Sequence, residues 1–328
     1  MKPRLLLPVL WCCVCSTVFA DGSPQDWLER MSRAFREQNY QGILIYGDSR
    51  QWETMAVTHG MIDGVEHEKL RHLTGVPREV IRHGQDATCI HPGEHGVPLN
   101  STLPAPLQKY GTSASVGDYY DFHLGGVSRV AGQYARELDI MPKDDQRYGY
   151  HLWLDQHSGL LLRSDMLDGN GQVLERFQFA DVEIGNAIDP SAFEPDGGGH
   201  PLAQHPAETQ DAFSRTDVTP HWLPAWVPGG FEMTAAGTLP ARGEGVLPAL
   251  RLMYTDGLAA FTVFIDAVPS DALPEMVSQW GATAAAVRYR KHEAQRYRIT
   301  AVGELPPATM VRIASSVDYH ETSSGKDE

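Results

Sequence analysis

The chain is 328 residues long, 42% hydrophobic and 21% charged, with 42 acidic side chains against 27 basic ones and a formal net charge of −15. That balance argues against a nucleic-acid partner, because phosphate backbones need a basic surface that this chain lacks overall. The length exceeds the roughly 100 to 200 residues of an ordinary domain, so two domains are expected.

At the N-terminus Lys2 and Arg4 precede an apolar run from Leu5 to Val14, and Val18-Phe19-Ala20 offers a signal-peptidase site before Asp21. Residues 1–20 read as a cleaved export signal. The run is too short and wrongly flanked for a membrane anchor, and Cys12, Cys13 and Cys15 lack a lipidation context. Cleavage removes three of the four cysteines, leaves Cys89 alone, and moves the charge from −15 to −17. The exported chain must therefore stand on its core without an intramolecular disulfide.

A helix is expected over SPQDWLERMSRAFREQNY, with Ser23 as N-cap, Pro24 at the first helical position and Asp26 closing a capping box. Trp27, Leu28, Met31, Ala34 and Phe35 form one apolar stripe along it. The period then changes. YQGILIYGDSRQWETMAV alternates around turn residues Gly47, Asp48 and Ser49, as a hairpin would, and GVEHEKLRHL, PREVIRHG and DATCIH read as further short strands. The GDS of that turn resembles an esterase opening, but a second strand follows where such a serine needs a helix, so a hairpin tip is the reading.

In TCIHPGEHG, His91, Glu94 and His95 have the H-x-x-E-H spacing of an inverted zinc protease. That chemistry needs a helix, so that the two histidines share a face with the glutamate as base. Pro92-Gly93 and Gly96 oppose one, so the segment reads as a loop, and no metal, other cofactor or catalytic residue is assigned. Asp144 and Asp145 beside Arg147 read as a charged loop leading into a strand. Three longer strands are expected in RYGYHLWLDQHSGLLLRSDMLDGNGQVLERFQFADVEI, with turns at Gln156–Gly159 and Asp168–Gly171 and with Leu160, Leu162 and Ser164 alternating on one face.

Residues 197–220, rich in Gly, Pro and Ala, read as a linker between a domain at 21–196 and a second at 221–318, followed by a polar tail at 319–328. The second unit shows strands at PALRLMYTD, LAAFTVFID and YRITAVGE and a helix at PPATMVRIASSV, with Met310, Ile313 and Val317 at helical spacing. The expected fold class is α+β: a large antiparallel sheet with a helix over it, then a smaller α+β domain.

The blocks WLERMSRAFREQNYQGILIYGDSRQWETM, RVAGQYARELDIMPKDDQRYGYHLWLDQHSGLLLRSDMLDGNGQVLERFQF, WLPAWVPGGFEM, YTDGLAAFTVFID and ITAVGELPPATMVRIASSV together resemble the RseB/MucB family. Their order and spacing cover most of the chain after the export signal. The resemblance implies a periplasmic regulator that binds the periplasmic domain of an RseA/MucA-type anti-sigma factor, shields it from proteolysis, and is released by lipopolysaccharide or lipoprotein acyl chains. It also implies a LolA/LolB-like half-open β-barrel for the first domain and a partner-binding second domain, and it leaves homo-oligomerisation open. Ile43, Ile45, Val80, Tyr150, Leu152, Leu154, Leu160, Leu162, Phe177 and Phe179 are the candidate lining for an acyl chain. Trp222, Trp226, Phe231, Tyr254, Phe261, Phe264 and Trp280 are the candidate partner anchors. A lipid carrier of the LolA/LolB type is the alternative, and an exported metallohydrolase using His91, Glu94 and His95 the remote one.

Overall fold

Helix α1 (Pro24–Glu37) begins where the cap signals put it. The Asp26 amide donates to Ser23 Oγ at 3.2 Å and the Ser23 amide donates to Asp26 Oδ2 at 2.7 Å, so two otherwise orphaned donors of the first turn are satisfied. All five residues of the apolar stripe are buried, and the helix stops at Gln38, whose backbone is extended. This computed structural model describes residues 22–84, 86–91, 116–196, 200–206, 219–239, 249–268 and 274–321. The expected export signal, Glu94, His95 and the end of the polar tail lie outside those residues.

Eleven strands follow in one antiparallel sheet: β1 (Tyr40–Asp48), β2 (Trp52–Ile62), β3 (Val65–His72), β4 (Glu79–His83), β5 (Asp86–His91), β6 (Tyr120–Val130), β7 (Gln133–Pro142), β8 (Gly149–Asp155), β9 (Leu161–Leu167), β10 (Val173–Ile184) and β11 (His200–Pro206). Between β5 and β6 lies the four-residue helix α2 (Val116–Tyr119). The spatial order is β11-β5-β4-β3-β2-β1-β10-β9-β8-β7-β6, so among the described residues the sheet has two free ends and is not closed. It curls: Gln133 at the start of β7 reaches the Val182 carbonyl of β10 at 3.5 Å, and β6 approaches both α1 and β10. This is the half-open barrel, with α1 across its concave face.

The sheet departs from the sequence expectation in two places. His200–Pro206, inside the stretch expected to be linker, pairs with β5 and forms one end of the first sheet. The alternation expected for Leu160, Leu162 and Ser164 is broken by a bulge where Leu154 faces Leu161 and Trp153 faces Arg163, so Leu160, Leu161 and Leu162 are all buried.

The second domain is a six-stranded antiparallel sheet, β13 (Glu232–Leu239), β14 (Ala249–Thr255), β15 (Ala260–Val268), β16 (Met276–Trp280), β17 (Thr283–His292) and β18 (Gln295–Gly303), in the order β13-β14-β15-β18-β17-β16. Helix α3 (Pro307–Ser316) packs on β17 and β18 through Met310, Ile313 and Ala314. Ala284, Ala286 and Ala301 beneath it are fully buried, and side chains this small let the helix lie close to the sheet. A short clip of β12 (Trp222–Pro224) and β19 (Val317–Tyr319) ties the two termini of the domain together, so Val317 and Tyr319 belong to a strand.

Candidate binding surfaces

The register of the first sheet decides which expected lipid-facing residues share a face. Leu44 lies opposite Phe179 and Tyr46 opposite Phe177, while Leu70 faces both Val57 and Val80. On the far half Leu152 faces Leu138 and Tyr150 faces Ile140. These residues line the concave side. Ile43 and Ile45 alternate with Leu44 and Tyr46 and therefore point to the convex side, where they are half-buried. The expectation that all ten candidates share one concavity is corrected for these two. Three consecutive apolar residues, Ile43-Leu44-Ile45, carry no alternation to choose between faces, and a one-residue shift inverts the assignment.

The other eight candidates, Val80, Tyr150, Leu152, Leu154, Leu160, Leu162, Phe177 and Phe179, are at most 5% exposed. All of them except Val80 pack in one cluster with Trp27, Leu28, Met31, Ala34 and Phe35 of α1. In this arrangement the helix occupies the place that an acyl chain would need.

The second-domain aromatics also divide. Trp222, Phe231, Tyr254 and Phe261 are core residues, with Tyr254 stacked on Phe261 at 4.9 Å. Burial pushes the Tyr254 hydroxyl up to about 12. Trp226 is half-buried beneath the Arg312 guanidinium, 3.7 Å from its ring, and Phe264 is half-buried. Trp280 alone of the seven is exposed, at 55%, on strand β16 at one end of the sheet beside exposed Met276 and Val277.

Between the domains lies a site that sequence reading missed. Arg147, in the loop before β8, has a side chain with no solvent exposure. Its Nη1 donates to Asp256 Oδ2 at 2.7 Å, Nη2 to the Gly229 carbonyl at 2.7 Å, and Nε and Nη2 each to the Asp144 carboxylate at 3.1 Å. Its guanidinium carbon stands 4.9 Å from the Tyr119 ring centroid and 5.4 Å from that of Phe231. Asp256 is equally well matched: Oδ1 accepts from the Leu258 and Ala259 amides of its own turn, and Oδ2 accepts from Arg147 and from the Tyr120 hydroxyl at 2.9 Å. Burial, and then the Asp256 carboxylate, push the Tyr120 hydroxyl well above the usual phenol range, so it stays a donor. A buried charge is tolerated only when it is paired and hydrogen-bonded, and this cluster meets that condition.

A second polar contact pins the other end of the seam. Glu175 of β10 accepts from the Tyr46 hydroxyl at 2.6 Å and from the Ala282 amide of the β16–β17 turn at 2.8 Å. Leu258 and Ala282 of the second domain join the apolar cluster of the first, and Thr309 of α3 donates to the Gln146 carbonyl. A shallow cleft at the same seam is lined by Asp48, Ser49, Arg50, Val173, Leu174, Gln279 and Gly281.

The remaining sequence signals find modest places. Ser49 lies at the tip of the β1–β2 hairpin, where Asp48 Oδ1 accepts the Arg50 and Gln51 amides. His91 ends β5, its motif partners Glu94 and His95 lying outside the described residues. Asp144 and Arg147, read as loop charges, are half of the buried cluster. The sequence signal that could have found them is slight: an arginine two residues before a largely apolar strand, and an aspartate in the tight turn YTDGLA.

A model described as the MucB/RseB N-terminal domain matches residues 23–197, and one described as the MucB/RseB C-terminal domain matches 216–318. The sigma factor AlgU regulatory protein MucB of Pseudomonas aeruginosa is 34% identical over 307 residues, which is 93% of this chain and 93% of the relative. The sigma-E factor regulatory protein RseB of Escherichia coli K12 is 27% identical over 298 residues, 89% of each chain. The structure of the Pseudomonas aeruginosa MucA/MucB complex overlays with a TM-score of 0.76 at 29% identity, covering 92% of this chain and 100% of that one. MucB in complex with MucA(peri) gives 0.74 at 30%, with 92% and 100% covered, and a crystal structure of MucB gives 0.64 at 29%, with 91% and 99% covered.

Proposed function

The chain belongs to the MucB/RseB family, and we propose from that premise that it is a periplasmic regulator that binds the periplasmic domain of a MucA- or RseA-type anti-sigma factor. By covering that domain it keeps regulated proteolysis from destroying it and so restrains an envelope-stress sigma factor. The observation that carries the reading is the overlay on MucB in its complexes with MucA, which spans both domains and 92% of the chain. For the contact itself the available anchor is Trp280 with Met276 and Val277, exposed on a terminal strand where an extended peptide could add.

Lipid release belongs to the same proposal. The concave face that Tyr150, Leu152, Leu154, Phe177 and Phe179 help to line is apolar, and an acyl chain there gains about 0.8 kcal/mol per buried CH₂. To enter, it must displace the α1 stripe headed by Trp27 and Met31, so lipid binding and helix docking exclude each other. That competition gives the lipid a mechanical effect on the fold, which a ligand bound equally well by both states could not have.

The test is proteolysis of the anti-sigma factor's periplasmic domain by its site-1 class protease, with and without the exported chain. Stoichiometric protection that lipopeptide or lipopolysaccharide relieves is expected. Cleavage at an unchanged rate at saturating chain would overturn the regulator reading, and protection indifferent to lipid would remove the release step.

A further inference from the structure

We propose that Arg147 is a positioning residue that selects one orientation of the second domain on the first, and that this orientation is what the anti-sigma factor recognises. The inference rests on the partner reading above and deepens it.

Of the second domain, Leu258 and Ala282 join the apolar cluster of the first. Apolar contact holds two surfaces together without fixing their angle. The Arg147 cluster does fix it. A buried ion pair adds little net stability over an apolar contact, since desolvation offsets attraction. It is strongly selective all the same, because any other angle takes Asp256 and the Gly229 carbonyl from the buried guanidinium and takes Arg147 and the Tyr120 hydroxyl from buried Asp256. Arg147 donates two hydrogen bonds to Asp144 of its own loop, which hold the planar fork in place, and two across the seam to Asp256 and the Gly229 carbonyl, an arrangement that few angles can meet. The Glu175 contact at a second point then prevents rotation about the first.

Both pins depend on close backbone approach. Gly230 has φ +84°, and a Cβ there would overlap the Tyr119 ring; Gly281 has φ +56°, and a Cβ there would overlap the Glu175 carboxylate. This chain overlays better on the two MucA-bound structures than on that of MucB, at near-equal identity and coverage.

The experiment measures interdomain distance and partner affinity in the same proteins. Spin labels go on Glu183→Cys and Lys291→Cys, both exposed, in the exported chain carrying Cys89→Ser. The probe is the periplasmic domain of the organism's own anti-sigma factor. The unaltered seam should give one narrow distance distribution. Arg147→Met and Gly230→Ala should each broaden it and weaken binding at least tenfold with near-ultraviolet circular dichroism retained, and Arg147→Lys should recover part of both. Gly230→Ala keeps the test open if Arg147→Met fails to fold, since it removes no charge. A distribution that stays narrow in both variants, or one that broadens while affinity is unchanged, overturns the proposal. A chain with the intact seam that does not bind the probe overturns the functional reading instead, and the distance result stands on its own.

Discussion

Arg147 and Tyr150 are three positions apart and both are buried, yet they hold together different things. Tyr150 fills the concave face of the first sheet beneath α1, where apolar area removed from water sets the energy and several shapes would serve. Arg147 joins two domains through directed bonds, where geometry sets the energy and few shapes would serve. Within one short stretch the chain passes from a region that supplies orientation to one that supplies stability.

The difference can be broken from either side. Arg147→Ala, which strands buried Asp256, should cost about 3–5 kcal/mol of docking and split a single denaturant transition into two, read by tryptophan fluorescence and circular dichroism. Leu152→Ala, at a residue with no exposure, should cost about 2–5 kcal/mol of first-domain stability while leaving the second domain's transition in place. One merged transition in the first variant, or a second domain that unfolds with the first in the Leu152 variant, would show that seam and core are not separable.

On the convex face Asp165 accepts from Arg163 and Arg176 at 2.6 to 3.1 Å. Burial alone would raise its pKa, but the hydrogen bonds from Arg176 and Arg163 outweigh burial and hold the carboxyl below its ordinary range. A depressed folded pKa means stability that is present above the unfolded value, about 3.9, and lost as pH falls through the folded one. Thermal midpoints should therefore drop below about pH 4 in the parent and less steeply in Asp165→Asn, which costs about 1–3 kcal/mol at neutral pH. Parallel pH profiles would contradict this.

Legibility in the sequence follows the same division. Local signals were sufficient for α1, whose cap and stripe lie within fourteen residues, and for β8 to β10, where turns at Gly159 and Gly171 separate long runs. The β6–β7 hairpin was not picked out by pattern because Gly125-Gly126 and a bulge between Leu124 and Val127 interrupt its alternation. Strand β17 reads TAAAVRYRKH, poor in β-branched residues, and it is a strand through its pairing with β16 and β18, its small residues lying beneath α3. Of the expected anchors, Tyr254 and Phe261 were indistinguishable from core aromatics and proved to be core. The Arg147–Asp256 contact joins residues 109 apart, and no local period can announce a pairing of that kind.

The most direct test is a calorimetric titration of the chain from residue 21 onward with the periplasmic domain of its organism's MucA- or RseA-type anti-sigma factor. A saturable one-to-one complex is the result predicted. No heat and no co-elution at tens of micromolar would contradict it.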